Sequence, residues 1–220
     1  MMVTYAQLRQ NEAVNTYISK ADESLKALGY TEHSFTHVTR VAATGRYILK
    51  TMGYSDREVE LVQIAGYLHD IGNLVNRVDH SQSGAIMAFR ILDKLGMSAE
   101  DIAEVATAIG NHDEGTGVPV SPMAAALILA DKSDVRRSRV RNNDKTTFDI
   151  HDRVNYSVRS SELTISEDKR EIVLALTVET EYGSVMDYFE IFMKRMLLCR
   201  KAAEMLGLTL RLYINEQPLL

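Results

Sequence analysis

The sequence predicts a mainly α protein that ends in a small α+β unit. Over most of the first 150 residues, apolar side chains recur every three to four positions, which is the period of a helix that packs on one side. After about residue 150 the period falls to two, as in a strand that buries one face. We therefore expect a helical domain over 1–150 and an α+β appendage over 151–220.

Glycines and capping residues divide the helical part into six predicted helices. They cover about 5–28, 34–52, 56–71, 80–95 and 99–112, and the sixth starts at Ser121-Pro122. Gly29, Gly53 and Gly96 end three of them, because glycine readily adopts the left-handed conformation that follows a helix. Ser55 and Glu58 have the spacing of a capping box. Proline opens the sixth helix without loss, because the first amides of a helix have no partner within it.

The appendage is predicted to contain three strands and one long helix. The first strand covers Val154 to Ile165, with a phase slip near Ser160-Ser161 that indicates a bulge. A polar loop over 166–170 connects it to a second strand over 172–178, and we expect antiparallel pairing. A helix over about 184–206 and a third strand over 208–214 follow. This unit carries no recognisable catalytic motif, and a lid, a specificity module and an element that forms a homodimer are the alternatives for it.

Composition excludes several classes of protein. The chain has 25 Lys and Arg against 30 Asp and Glu, a formal net charge of −5, so a surface for duplex nucleic acid is not expected. The single cysteine, Cys199, allows no internal disulfide and favours a reducing compartment. No signal peptide or apolar run long enough to span a bilayer is visible. We expect a cytoplasmic protein without a membrane partner.

Histidines and aspartates near predicted helix ends are the candidate metal ligands. Six stand out: His37, His69, Asp70, His80, His112 and Asp131. Imidazole and carboxylate together suit iron, manganese, cobalt, nickel or zinc, and magnesium less well. Because a catalytic metal keeps an open position, six protein ligands fit two ions better than one. Two ions that share a carboxylate would leave positions free for water and substrate.

The order of three motifs carries a family resemblance. HVTRVA, GYLHDIGN and LILADKSD, each at a predicted helix, resemble the HD-domain metal-dependent phosphohydrolases over about residues 33–135. The resemblance implies an HD-domain helical bundle with core ligands His37, His69, Asp70 and Asp131, of which Asp70 bridges. In dinuclear members of the family two more histidines lie between the HD dipeptide and the last aspartate, and His80 and His112 match them.

The activity that the resemblance implies is hydrolysis of a small phosphate ester or nucleotide, by a mono- or diesterase. Two divalent ions, iron or manganese first and magnesium, cobalt, nickel or zinc as alternatives, would share a hydroxide that attacks phosphorus. The stretch NHDEGTGVP partly resembles the HD-GYP cyclic-di-GMP phosphodiesterases. Asn73, Asn111 and Val118 depart from that pattern, so cyclic-di-GMP is not the expected substrate.

Charged residues beside the ligands are candidates for binding substrate. Arg40, Arg136 and Arg137 are predicted to bind phosphate, since a guanidinium matches phosphate oxygens in pairs. For Arg40 the alternative is an ion pair with a carboxylate beside the site. Lys132 is predicted to stabilise charge on the phosphate during catalysis.

Four further residues have open roles. Asp134 is predicted to take part in catalysis, either by orienting a ligand histidine or by activating water, and Glu114 has the same two alternatives. His33, four residues before His37, could bind a metal, line the pocket or cap the helix. His151 is interpreted as structural.

Two other functional classes use the same ligands. Some HD-fold proteins resemble this ligand set but oxygenate a substrate with two irons, which oxygen consumption would reveal. A sensor that binds a nucleotide without turnover is the third class. The intact ligand set argues against it, because a retired enzyme is expected to have lost at least one ligand.

Overall fold

The computed structural model describes residues 2–220 and confirms a mainly helical protein with a small sheet. The helices are α1 (Tyr5–Arg9), α2 (Glu12–Ala27), α3 (Phe35–Met52), α4 (Asp56–Leu68), α5 (His80–Lys94), α6 (Ala99–Gly110), α7 (Pro122–Lys132), α8 (Ile150–Ser157) and α9 (Val185–Met205). The strands are β1 (Val158–Ile165), β2 (Glu171–Val178), β3 (Thr209–Ile214) and β4 (Gln217–Pro218). Short 3-10 helices lie at Ile71–Leu74, Arg137–Arg139 and Lys145–Thr147. The division into two units at about residue 150 stays a prediction.

The single helix predicted over 5–28 is wrong, because the chain breaks it between α1 and α2. The Asn11 side chain accepts a hydrogen bond from the backbone amide of Val14 at 3.1 Å and so begins a new helix. Asparagine competes with the helical backbone for such bonds and therefore favours helix starts. The apolar period continues across the break, so the period alone did not reveal it.

The predicted strand start at Val154 is also wrong. The carboxylate of Asp149 accepts from the amide of Asp152 at 2.8 Å and caps α8, in which Val154 is buried. The strand β1 begins only at Val158. Its predicted bulge is confirmed, since the register with β2 shifts between Val158 and Ser160.

The sheet has the order β1-β2-β3-β4 and is mixed. Antiparallel pairing holds for β1 with β2, but β3 runs parallel to β2. The prediction of antiparallel strands fails there because α9 carries the chain back across the sheet, and such a crossover returns the next strand in the same direction. The two-residue β4 pairs antiparallel to β3.

Helix α7 lies in the middle of the molecule and carries Asp131 in its last turn. Every residue from Met123 to Lys132 is buried, and α3, α4, α6 and α9 pack around it. On one side α3 and α4 approach closely, since a Cβ on Gly66 would lie 2.8 Å from backbone atoms of Ala42. This contact brings the ligand-bearing ends of α3 and α4 together.

Within residues 2–220, none of the helices combines the length and apolar character that a bilayer crossing requires.

Candidate metal centre

The six predicted ligands converge at the buried centre of the helical bundle. His37 lies in the first turn of α3, His69 and Asp70 directly follow α4, and His80 begins α5. His112 follows α6, and Asp131 lies in the last turn of α7. All six are buried, with at most 9% of the residue exposed. Residues far apart in the chain thus share one small volume, although their role as ligands stays a prediction.

One group of donor atoms faces the Oδ2 side of Asp70. The Nε2 atoms of His37 and His69 lie 3.3 Å apart and 3.5 and 3.2 Å from Asp70 Oδ2. Asp131 Oδ1 completes the group at 3.3 Å from His37 Nε2 and 3.7 Å from His69 Nε2. Two nitrogen and two oxygen donors therefore lie close together, and Asp131 also forms a possible metal-binding group with His69 and His112.

A second group faces the other oxygen of the same carboxylate. Asp70 Oδ1 lies 3.6 Å from His80 Nε2, and the Nε2 atoms of His80 and His112 are 3.2 Å apart. Asp70, His80 and His112 together meet the geometry of a metal-binding triad, as do His37, His69 and Asp70. Asp70 is the residue common to both triads.

The opposite nitrogen of each imidazole is held by the protein. Nδ1 of His37 donates to Asp134 Oδ2 at 2.8 Å. The backbone carbonyls of Gly66, Arg77 and Ile109 accept from the other three, at 2.8 Å for His69, 3.1 Å for His80 and 2.6 Å for His112. These bonds orient the rings and leave Nε2 available, the arrangement that metal-binding histidines require.

The donor set fits cations on electrostatic grounds. When Nδ1 carries the proton, the Nε2 lone pairs of His80 and His112 point at each other across 3.2 Å. Lone pairs at that distance repel unless positive charge lies between them. Imidazole nitrogens together with carboxylate oxygens are a ligand set for divalent transition metals. The residues present therefore fit divalent cations.

The pKa values of the histidines also indicate that the carboxylates of the cluster stabilise positive charge beside them. Burial and Arg139 lower the pKa of His37, but hydrogen bonds with Asp131, Asp134 and Asp70 outweigh them and raise it to about 10. The carboxylates around His37 thus favour positive charge at this position. In contrast, burial and the charge of His69 lower the pKa of His112 to about 3, so this ring is neutral.

A second layer of charges surrounds Asp131. Lys132 Nζ lies 2.7 Å from Asp131 Oδ2 and 2.6 Å from Glu114 Oε2. Burial lowers the pKa of Lys132, but the two carboxylates outweigh burial and raise it. Arg195 of α9 donates to Glu114 Oε1 at 3.1 Å. Arg195 of the C-terminal helix therefore extends this layer of charges. The sequence did not predict its role, because nothing in the pattern of α9 links Arg195 to Glu114.

The arginines predicted to bind phosphate all have partners in the protein. Arg40 Nε donates to Asp134 Oδ1 at 3.1 Å, which is the alternative considered for this residue. Arg136 bonds both Asp134, at 3.0 Å, and Glu32, at 2.6 Å. Arg137 contacts Glu179. Their binding of substrate stays a prediction that these contacts do not favour.

A cavity of about 420 Å³ lies beside the centre. His33 lines it, and its ring centroid is 5.5 Å from that of His37. Glu114 and Arg195 line it as well, and His151 lies on its wall near the start of α8. Three alternatives were considered for His33. Its position favours the one in which it lines the pocket.

Comparison with known proteins identifies the class. The HD-domain family model matches residues 34–136, a segment that contains all six candidate ligands. Residues 34–136 therefore match an HD domain, as the motifs predicted. An uncharacterized protein of Methanocaldococcus jannaschii is 27% identical, over 81% of this chain and 77% of its own length. A solved structure described as a predicted HD superfamily hydrolase, from an uncultured Thermotogales bacterium, is 24% identical with a TM-score of 0.44, over 56% of this chain and 67% of that one.

Proposed function

We propose that the chain is a metal-dependent phosphohydrolase that acts on a small phosphate ester or nucleotide with two divalent cations. The observation that carries this proposal is the position of Asp70, whose Oδ2 lies 3.5 Å from His37 Nε2 and 3.2 Å from His69 Nε2, while its Oδ1 lies 3.6 Å from His80 Nε2. A carboxylate in that position is suited to bridge two ions. The HD domain over 34–136 supports the same class of chemistry.

The proposed ligands divide into two sets around Asp70. His37, His69 and Asp131 would hold one cation and His80 and His112 the other, with Asp70 common to both. The mixed nitrogen and oxygen donors favour iron or manganese, while magnesium, cobalt, nickel and zinc remain alternatives. Two cations bound there would lower the pKa of a water between them and neutralise charge on phosphoryl oxygens.

Protein groups around the ligands hold the centre in shape. Asp134 fixes the ring of His37 through Nδ1, which is the orienting role among the two considered. Lys132 pairs with Asp131 and Glu114, so its charge balances carboxylates at the edge of the centre. We propose that Lys132 and Asp134 act on catalysis through the ligands that they contact.

Removal and return of metal tests the function. The full chain is treated with a chelator, dialysed, and assayed for phosphate release from a panel of phosphomonoesters, phosphodiesters and nucleotides. We expect no turnover without metal, and recovery that requires about two equivalents of Mn²⁺ or Fe²⁺ per chain.

The same assay separates the rival classes. Phosphate release by the chelated protein at the undepleted rate would contradict the proposal. Oxygen consumption by the iron-loaded protein, with no phosphate released from any substrate, would favour the oxygenase instead.

A further inference from the structure

The 420 Å³ cavity next to the candidate ligands is large enough to hold a small phosphate ester. Its inner end is lined by His33 and Glu114, which contact the surroundings of the ligands. Its outer wall comes from the start of α8, with Asp149 and Asp152, and from Phe192 of α9. The cavity thus lies between residues that neighbour the candidate ligands and a wall formed by α8 and α9.

Three arginines line this cavity, and two of them are already occupied. Arg195 donates to Glu114, while Arg139 donates to the backbone carbonyls of Glu32 and Asp134. Arg77 differs. Its guanidinium contacts Asn73 and Tyr30, and within residues 2–220 it forms no ion pair with a carboxylate.

The guanidinium of Arg77 is held beside Asp70 by a single residue. Its Nη1 donates to Asn73 Oδ1 at 3.3 Å, and Asn73 Nδ2 donates to Asp70 Oδ1 at 3.0 Å. On its other side the guanidinium lies 5.6 Å from the ring centroid of Tyr30. These contacts use one edge of the guanidinium and leave other N–H donors for a ligand in the cavity.

We propose that Arg77 binds the phosphoryl group of the substrate and that this substrate is a phosphomonoester; the inference rests on the proposed function. A guanidinium with two free N–H groups matches two phosphate oxygens. A monoester has three non-bridging oxygens, whereas a diester has two. A monoester therefore keeps an oxygen that can bind the Arg77 guanidinium outside the metal centre. The organic part of the substrate would lie along Phe192 toward the acidic rim of Asp149 and Asp152. That rim disfavours further phosphates.

Inorganic phosphate, the product common to all phosphomonoesters, is the probe for Arg77. Phosphate binding to the metal-loaded full chain is measured by titration calorimetry, and its inhibition of p-nitrophenyl phosphate hydrolysis is measured in parallel. For Arg77→Gln we expect phosphate to bind roughly 10- to 100-fold more weakly, because a charge-assisted hydrogen-bond pair is lost. Arg77→Lys, which keeps the charge without the fork, is expected to lie between the two.

Metal content and a matched control separate the possible results. Arg90→Gln changes an exposed arginine of α5 and is expected to bind phosphate as the parent does. Metal content is expected to be unchanged in Arg77→Gln, since the Arg77 backbone carbonyl, and not the side chain, orients His80. Loss of metal in Arg77→Gln, or phosphate affinity equal to that of the parent, would overturn the inference.

The substrates of the parent protein separate the role proposed for Arg77 from the phosphohydrolase activity itself. If the parent protein binds metal but neither phosphate nor any phosphate ester, both are wrong. If the parent hydrolyses bis(p-nitrophenyl) phosphate faster than p-nitrophenyl phosphate, the phosphohydrolase stands and the monoester assignment is wrong. Faster hydrolysis of the monoester supports the assignment.

Discussion

Replacing Asp70 by alanine is expected to abolish turnover while the helical fold remains. The change removes the carboxylate whose Oδ2 faces His37 and His69 and whose Oδ1 faces His80, so the protein should retain at most one metal ion per chain. Because two cations contribute several kcal/mol to stabilising a phosphoryl transition state, we expect a loss of about a thousandfold or more. Metal content by plasma emission spectrometry and phosphate release on the best substrate measure the two effects.

The fold of Asp70→Ala should survive because the change removes one negative charge from a place where several carboxylate oxygens and imidazole nitrogens lie close together. Burial raises the pKa of Asp70, but the neighbouring imidazoles outweigh burial and hold it well below its usual range, so the carboxylate is buried with its charge. Asp93→Ala, at an exposed carboxylate of α5, is the matched control and should keep metal and activity. Parent-like turnover by Asp70→Ala would refute the proposed mechanism.

Replacing Gly72 by alanine is expected to destabilise the protein and to disrupt the site together. A Cβ on Gly72 would lie 2.5 Å from the backbone nitrogen of Gly84 and closer still to the carbonyl oxygen of His80. The glycine of the HDIG motif therefore allows α5 to cross directly over the turn that carries Asp70. Because the clash is with backbone, α5 must shift, and we expect a loss of about 3 kcal/mol in the free energy of unfolding.

Thermal unfolding and metal content together test this interpretation of Gly72. A loss of about 3 kcal/mol corresponds to a melting temperature lower by roughly 6–12 °C for a chain of this size. Since the shift moves His80 away from Asp70, the second metal should be lost as well. Gly110→Ala is the control, because its Cβ would meet only side-chain atoms at ordinary distances, Ala85 Cβ at 3.7 Å and Gln82 Oε1 at 3.9 Å. An unchanged melting temperature with both metals retained in Gly72→Ala would contradict the role given to the motif.

Sequence motifs identified the cluster because its members occupy short, ordered signatures at helix ends. The pairing of histidines around Asp70 could not be obtained that way, because it depends on how α3, α4, α5 and α6 cross. The same holds for the hydrogen bond of Asp134 to His37, which joins positions 97 apart in the chain. Of the two roles considered for Asp134, this three-dimensional contact favours the one in which Asp134 orients His37.

The substrate side of the site was the least predictable part. Arg40, Arg136 and Arg137 were selected because they lie near the motifs in sequence, but folding gives each of them a carboxylate partner. Arg77 lies in an irregular segment before α5, where Asp79 adopts a left-handed conformation with φ of 55°. No periodicity places a side chain in such a segment. Arg77 became a candidate only because it lines the cavity and has no carboxylate partner among the described residues.

Anomalous X-ray diffraction from crystals of the metal-loaded protein tests whether two ions bind around Asp70. Data collected on both sides of the manganese or iron absorption edge locate each ion independently of any assumed ligand. We expect two peaks flanking the Asp70 carboxylate, roughly 3.5–4 Å apart, one next to His37, His69 and Asp131 and the other next to His80 and His112. A single peak that leaves His80 and His112 without metal, or no peak at all, would contradict the account.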